Sequence, residues 1–159
     1  MGLLTLSRIG LYLRGHRRTA VLAITSACNC QCIMCNMHRL NPAYLSVHDG
    51  LRLLDFLHDN RFMVVYFTGG EPTLHPDLIS LVRYANRLGL VTSMTTNGTS
   101  PLTTLSELQE AGLDVLSVSL DHWDSQVCEH LRGHRQIQAK QEAKLHYAKQ
   151  IGLRVYALA

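Results

Sequence analysis

The segment Cys28-Asn29-Cys30-Gln31-Cys32-Ile33-Met34-Cys35 contains four of the five cysteines in this 159-residue chain. Cys28, Cys32 and Cys35 have a C-x3-C-x2-C spacing, so three thiolates from one short loop can converge on one iron–sulfur cluster. Three thiolates leave one iron of a four-iron cube without a protein ligand, and an open metal position indicates chemistry rather than structure. The loop therefore predicts a reactive metal centre.

Other uses of these cysteines are weaker but stay open at this point. Structural zinc usually takes two cysteine pairs, or cysteine with histidine. Here the further ligands on offer are His38, close by, and Cys128, far downstream. An odd number of cysteines and the lack of a secretory signal disfavour a disulfide framework. Cys30 is interpreted as a bystander thiol, because alternate residues of one loop rarely reach the same cube.

The composition is that of one domain with ample apolar content for a core, at 47% hydrophobic residues. A formal charge of +3 does not by itself indicate nucleic acid binding. No acidic residue precedes Asp49, whereas five arginines do, namely Arg8, Arg14, Arg17, Arg18 and Arg39. Acid-free surroundings suit an anionic cluster. A solvated basic segment, or contact with an acidic lipid or nucleic acid surface, explains the pattern equally well.

The first part of the chain reads as a basic, apolar extension at 1–19, ahead of a core at 20–159. Its apolar stripe is too short and too interrupted for a signal peptide or a membrane span. The stripe consists of Leu3, Leu4, Leu6, Ile9, Leu11 and Leu13. It predicts an amphipathic helix that packs on the domain or lies on a membrane surface. Free thiols without an export signal predict a cytoplasmic location.

Short β-rich apolar runs alternate with helical patterns along the core. The predicted strands are Ala20–Thr25, Phe62–Thr68, Leu90–Thr95, Leu113–Leu120 and Leu153–Leu158. Helices are predicted to begin at Ser46, at Pro76-Asp77 and at Thr104, and a fourth is predicted at Ile137–Ile151. Three helices end in Gly-Leu, at Gly89, Gly112 and Gly152, where glycine can take the left-handed conformation. The pattern predicts an α/β fold with parallel strands, either a curved barrel or a flat doubly wound sheet.

Polar motifs follow three of these strands, where α/β proteins place their active sites. Thr68-Gly69-Gly70-Glu71-Pro72 ends the second strand, and its glycines allow close backbone approach and bare N–H groups for a ligand. A carboxylate there can pair with an ammonium group, although a plain turn explains the run as well. Thr96-Asn97-Gly98 follows the third strand. Ser119 and Asp121 follow the fourth, where a helix N-cap pair is the simpler reading.

The cysteine spacing and the later motifs together resemble the radical S-adenosylmethionine (radical SAM) superfamily. The resemblance implies a partial (β/α) barrel of about five βα units, a 4Fe–4S cluster on Cys28, Cys32 and Cys35, and reductive cleavage of S-adenosylmethionine to a 5′-deoxyadenosyl radical. It implies that Glu71 holds the methionyl amino group, within a cofactor-binding set of Met34, Gly69, Gly70, Glu71, Pro72, Asn97, Ser119, Asp121 and Arg132.

Some features depart from the usual pattern of the superfamily. Met34 replaces a common aromatic residue that packs on adenine, and a thioether can make that contact. Arg132, in the run Cys128-Glu129-His130-Leu131-Arg132-Gly133, matches an arginine that would neutralise the cofactor carboxylate, or it is a surface charge. The sequence stops after the fifth strand, so the resemblance also implies an open edge that self-associates or needs a partner.

An electron donor of the flavodoxin or ferredoxin type is implied by the same resemblance, together with a substrate that the sequence does not identify. The rival reading is a non-catalytic iron–sulfur or zinc module that keeps the metal but has lost turnover.

Overall fold

Five parallel strands alternate with helices in the computed structural model, which describes residues 5–158. The helices are α1 (Leu6–Leu13), α2 (Val47–Asp59), α3 (Leu78–Arg87), α4 (Thr103–Ala111), α5 (Ser125–Arg132) and α6 (Ile137–Gln150). The strands are β1 (Arg18–Thr25), β2 (Phe62–Gly69), β3 (Val91–Thr96), β4 (Val115–Ser119) and β5 (Arg154–Leu158). Short 3-10 turns cover Met37–Arg39 and Pro72–Leu74.

The strand order decides between the two architectures that the sequence left open. The sheet runs β1-β2-β3-β4-β5, and every neighbouring pair is parallel. A doubly wound sheet reverses its strand order at a switch point, whereas this order never reverses and is that of a barrel wall. The predicted α/β fold and partial (β/α) barrel are confirmed.

Helices cover one face of the sheet and enclose the main hydrophobic core. Phe67, Met94 and Leu116 are register partners on β2, β3 and β4, and all three are fully buried in this core. The next residues along each strand point to the opposite face, as strand geometry requires. That face is more polar, and it carries Tyr66, Ser93, Thr95 and Ser117.

The three predicted Gly-Leu helix ends are confirmed in detail. Gly89, Gly112 and Gly152 have φ values of 81°, 97° and 75°, in the left-handed region that favours glycine. Each following leucine is buried, and its N–H donates to the carbonyl oxygen five residues earlier, at Ala85, Leu108 and Ala148. This Schellman arrangement stops the helix and directs the chain into the next strand.

One helix start was shifted and one helix was missed. The helix predicted to begin at Thr104 begins at Thr103, and its N-cap, Leu102, has no side-chain acceptor. Helix α5 was missed, although Asp124 accepts hydrogen bonds from the N–H groups of Gln126 and Val127 at its start. Ser46 does cap α2, as predicted, by accepting from the N–H of Asp49.

Helix α1 packs on the domain at the amino ends of the strands. Arg8 is buried and pairs through two hydrogen bonds of 2.7 Å with Asp114, just before β4. Leu11 is buried on the same side of the helix. The first strand begins at Arg18, inside the predicted extension, and Leu3, Leu4 and Ala159 lie outside the described residues. Within residues 5–158, no helix is long and apolar enough to cross a membrane.

Candidate active site at the carboxyl ends of the strands

The predicted site motifs follow successive strands at the same edge of the sheet. The cysteine loop follows β1, Gly69-Gly70-Glu71 follows β2, Asn97 follows β3 and Asp121 follows β4. Because all five strands are parallel, their carboxyl ends lie together. The structure therefore brings the motifs into one region, and side-chain and backbone contacts join them.

The two glycines after β2 anchor the cysteine loop. The N–H of Gly70 donates to the carbonyl of Thr25, and the N–H of Glu71 donates to the carbonyl of Ala27, both at 2.7 Å. A β-carbon at Gly69 would overlap the Thr25 carbonyl, and one at Gly70 would overlap the Ala27 carbonyl. The expectation that the glycines offer bare N–H groups was therefore wrong for Gly70. Glycine is needed at both positions because the end of β1 and the residues after it pass directly over this turn.

We expect Gly70→Ala to displace the cysteine loop, because the added methyl group meets backbone that cannot swing aside. Iron loading after anaerobic reconstitution should fall severalfold, and the free energy of unfolding should fall by about 2 kcal/mol or more. Gly10→Ala is the matched control, since a β-carbon there meets nothing within 4 Å in α1. It should leave iron loading unchanged and stabilise the helix slightly. Full loading in Gly70→Ala would contradict the anchoring role.

The Glu71 carboxylate is completely buried and accepts hydrogen bonds from within the protein. One oxygen accepts from the N–H and hydroxyl of Thr73, at 3.1 and 2.6 Å, and from the hydroxyl of Thr96, at 2.9 Å. The other oxygen accepts from the N–H of Asn97 at 2.6 Å. Glu71 therefore ties the end of β2 to the loop after β3, an arrangement that the sequence motif alone did not predict.

Helix α6 holds the loop after β3 from the opposite side. The side-chain amide of Gln141 donates to the carbonyls of Asn97 (3.2 Å) and Ser119, so it spans the ends of β3 and β4. The ammonium group of Lys144 donates to the carbonyls of Ser100 and Pro101. Burial lowers the pKa of Lys144 to about 8, and the charge of Glu71 acts in the opposite direction. Sequence reasoning missed both residues, since polar side chains on a helix normally face solvent.

The cysteine loop also contacts the loop after β3 and Arg132 at the end of α5. Asn29, between the first two cysteines, accepts from the side-chain amide of Asn97 and donates to the hydroxyl of Thr99, both at 2.9 Å. Arg132, at the end of α5, forms a two-pronged ion pair with Asp121. Asn97 thus contacts the loop through Asn29, and Arg132 contacts it through Cys32 while it pairs with Asp121.

Comparison with known protein families identifies the family of this chain. A sequence model of the radical SAM superfamily matches residues 22–158. The chain belongs to the radical SAM superfamily. The resemblance predicted from the cysteine loop is confirmed, and members of this superfamily bind a 4Fe–4S cluster and S-adenosylmethionine.

Curated relatives match the radical SAM chain over part of their own length. The GTP 3′,8-cyclase of Chlorobaculum tepidum is 39% identical over 107 residues, which cover 65% of this chain and 32% of the relative. The PqqA peptide cyclase of Bradyrhizobium diazoefficiens is 33% identical over 138 residues, covering 81% and 34%. The chain therefore spans about a third of the length of these relatives.

Solved radical SAM structures share the fold. SuiB of Streptococcus suis, bound to S-adenosylmethionine, superposes with a TM-score of 0.79 at 24% identity, covering 92% of this chain and 36% of SuiB. Methylornithine synthase (PylB) superposes with a TM-score of 0.76 at 21% identity, covering 95% and 47%. At these identities the likeness establishes the partial barrel.

The donor set of the radical SAM loop fits an iron–sulfur cube. Among residues 5–158, no three His, Cys, Asp or Glu side chains converge closely enough to hold one metal ion. A cube offers a different iron to each thiolate, so its ligands do not have to meet at a point. Cys28, Cys32 and Cys35 are near enough that the charges of the latter two raise the pKa of Cys28. Soft thiolates are the ligands that such clusters take.

The three ligand candidates differ in their surroundings. Burial is the main reason that the pKa of Cys28 is raised; a hydrogen bond from the backbone of Cys30 lowers it, and the charge of Glu71 adds to the rise. Cys32 is buried, whereas Cys35 is exposed and accepts a hydrogen bond from the N–H of Met37. Because thiolates bind metal and thiols do not, binding of a metal at Cys28 would release a proton from a group whose pKa is raised.

Two further thiols lie in a small buried cluster that also contains Cys32. Cys30 and Cys128 pack with Ile137, and burial raises the pKa of Cys30 to about 12. The Cys128 thiol donates to the carbonyl of His122. Both cysteines are thus used in packing.

The other predicted residues lie near the loop with different exposures. Met34 is 57% exposed, so its thioether is accessible at the surface of the cysteine loop. Pro72 and Ser119 are buried, and the carbonyl of Ser119 is held by Gln141. Trp123 is 85% exposed and stacks on His122, next to the start of α5.

Proposed function

We propose that this chain binds a 4Fe–4S cluster and S-adenosylmethionine at the carboxyl ends of its strands and cleaves the cofactor reductively. The observation that carries the proposal is the way the Cys28–Cys35 loop is held. Backbone bonds from Gly70 and Glu71 hold its start, and Asn29 connects it to the loop after β3. A loop this constrained is pre-organised to present three thiolates, and membership of the superfamily supplies the chemistry.

In this proposal, each group of residues has a separate task. Cys28, Cys32 and Cys35 hold the cluster. Bound cluster and cofactor together supply a one-electron cleavage of the C5′–S bond, which yields a 5′-deoxyadenosyl radical that abstracts hydrogen from a substrate. The residues that contact the cofactor or position those that do are Met34, Gly69, Gly70, Glu71, Pro72, Asn97, Ser119, Asp121 and Arg132.

In this proposal the chain's own groups orient the cofactor. Met34 provides an exposed thioether for the adenine face. Three of the five N–H donors of Arg132 are engaged, two by Asp121 and one by Cys32. The two remaining N–H groups of the guanidinium can still donate to a carboxylate. Glu71 acts mainly by fixing Asn97 and Thr96, because its carboxylate is buried among protein donors. Electrostatic interactions in such a shielded site are stronger than in water.

The test is anaerobic reconstitution with iron and sulfide, followed by titration with S-adenosylmethionine. We expect about four irons per chain and an electron paramagnetic resonance signal of the reduced protein that changes when the cofactor is added, because the open iron gains a ligand. Cys35→Ala is the matched control and should give neither. A loaded cluster whose signal ignores S-adenosylmethionine would indicate a non-catalytic iron–sulfur module, and binding of zinc with no cube would indicate a zinc site.

The partners are also proposals. We infer an electron donor of the flavodoxin or ferredoxin type and a cytoplasmic location, since a low-potential cluster needs a reducing source. Within the described residues, β1 and β5 each pair with one neighbour. The edge of β5 bears the exposed residues Tyr156 and Leu158. Unpaired strand edges promote association, so we propose that a second copy or another protein segment completes the open edge of the barrel.

A further inference from the structure

The carboxyl end of α5 is attached directly to the cysteine loop. The N–H of Gln31 donates to the carbonyl of Arg132, and the N–H of Ile33 donates to the carbonyl of Leu131, both at 2.9 Å. Gly133 has a φ of 58°, and a β-carbon there would overlap the Gln31 carbonyl. Three consecutive residues of α5 and its cap thus fix the backbone on both sides of Cys32.

The side chain of Arg132 reaches the same cysteine. Its Nη1 group lies 3.8 Å from the Sγ atom of Cys32 and is oriented to donate to it. Its Nε and Nη2 groups donate to the two carboxylate oxygens of Asp121. Both side chains are mostly buried, at 15% and 16% exposure, so solvent screens their charges only partly.

We propose that the Arg132–Asp121 pair positions Cys32 and sets the reduction potential of the cluster bound there. This inference rests on the proposed function. A cation that donates to a ligand sulfur stabilises the more negative, reduced state, and hydrogen bonds to sulfur and net charge are established controls of cluster potential. The Asp121 carboxylate opposes that effect and at the same time aims the guanidinium at Cys32.

The proposal predicts shifts of opposite sign from the two partners. Arg132→Gln removes the positive charge and should lower the midpoint potential. Asp121→Asn removes the opposing negative charge, keeps an acceptor for Arg132 and should raise the potential. A shift of about tenfold in the ratio of reduced to oxidised cluster at fixed potential corresponds to 59 mV for a one-electron couple. A merely structural pair would not produce shifts of opposite sign.

The experiment is an anaerobic redox titration of the reconstituted chain, monitored by electron paramagnetic resonance. The titration is done without S-adenosylmethionine, so that an effect of the substitutions on cofactor binding does not change the measured midpoint potential. Arg135→Gln is the matched control: it makes the same change in net charge three residues away, at an exposed side chain, and should leave the potential unchanged. Arg132→Lys keeps the charge and should recover most of the potential lost in Arg132→Gln.

The outcomes separate this proposal from the proposed function. If wild-type protein loads a cluster that responds to S-adenosylmethionine but neither substitution moves the potential, the pair does not tune the cluster and only this inference fails. If both substitutions move the potential in the same direction, it is also overturned. If Arg132→Gln fails to load, Asp121→Asn alone decides by the sign of its shift. If wild-type protein loads no cube, the proposed function itself fails.

Discussion

Alanine at Cys28, Cys32 or Cys35 is expected to abolish cluster loading. The iron content after anaerobic reconstitution should fall from about four per chain to below one, because two thiolates rarely retain a cube. Loss at Cys35 is especially informative, since its side chain is exposed and its removal leaves no cavity in the core. Iron and sulfide analysis, together with the visible absorbance of the cluster, measures the effect.

Cys30→Ala and Cys128→Ala are the matched controls, because they remove a thiol from the same small cluster of buried side chains. Both should keep full iron loading while the free energy of unfolding falls by on the order of 1 kcal/mol, as for small buried side chains. The pKa of Cys30, raised to about 12 by burial, makes its thiolate hard to form. Iron retained after loss of Cys28, Cys32 or Cys35, or lost with Cys30, would show that the ligand set is wrong.

The elements of the fold were largely readable from sequence because their signals are local. The five strand predictions differ from the observed bounds by two residues or fewer. The Gly-Leu pairs gave the helix ends, since only glycine adopts that left-handed conformation at low cost. Helix α5 was missed because Asp124–Arg132 has few apolar residues and the helix is only about two turns long. The choice of a barrel over a flat sheet needed the strand order, which local patterns do not contain.

The motifs of the candidate site could be predicted from the sequence, but the hydrogen bonds that link them could not. Cysteine spacing predicts the metal ligands because the three candidate thiolates lie within one loop. Gln141 and Lys144 could not be found, because they act from a helix more than 40 residues from the loop that they hold. Gly70 and Glu71 show that the sequence does not reveal the partners of backbone N–H groups in a recognised motif. The motif was recognised, but the sequence alone assigned the Gly70 N–H to a ligand. In the structure the carbonyl of Thr25 accepts it, and the carbonyl of Ala27, just after β1, accepts the N–H of Glu71.

A second large effect is expected at Glu71, and it should differ in kind from that of the cysteines. Glu71→Ala removes the acceptor of the buried donors of Thr73, Thr96 and Asn97. Each buried donor left without a partner costs roughly 1–3 kcal/mol, so the free energy of unfolding should fall by about 3 kcal/mol or more. The loop after β3 should loosen, and affinity for S-adenosylmethionine should fall roughly ten- to hundredfold.

Cluster loading should survive in Glu71→Ala, because the loop anchor at this residue is its backbone N–H, which donates to Ala27 whatever the side chain. Calorimetric titration of reconstituted protein with S-adenosylmethionine measures the affinity, and denaturant unfolding measures the stability. Glu107→Ala removes an exposed carboxylate from α4 and should change the free energy of unfolding by no more than about 0.5 kcal/mol. Glu71→Gln keeps the shape but places an amide donor against the protein's own donors, so an intermediate loss is expected. A folded Glu71→Ala protein with wild-type affinity would show that Gly69–Pro72 is only a turn that supports the cysteine loop.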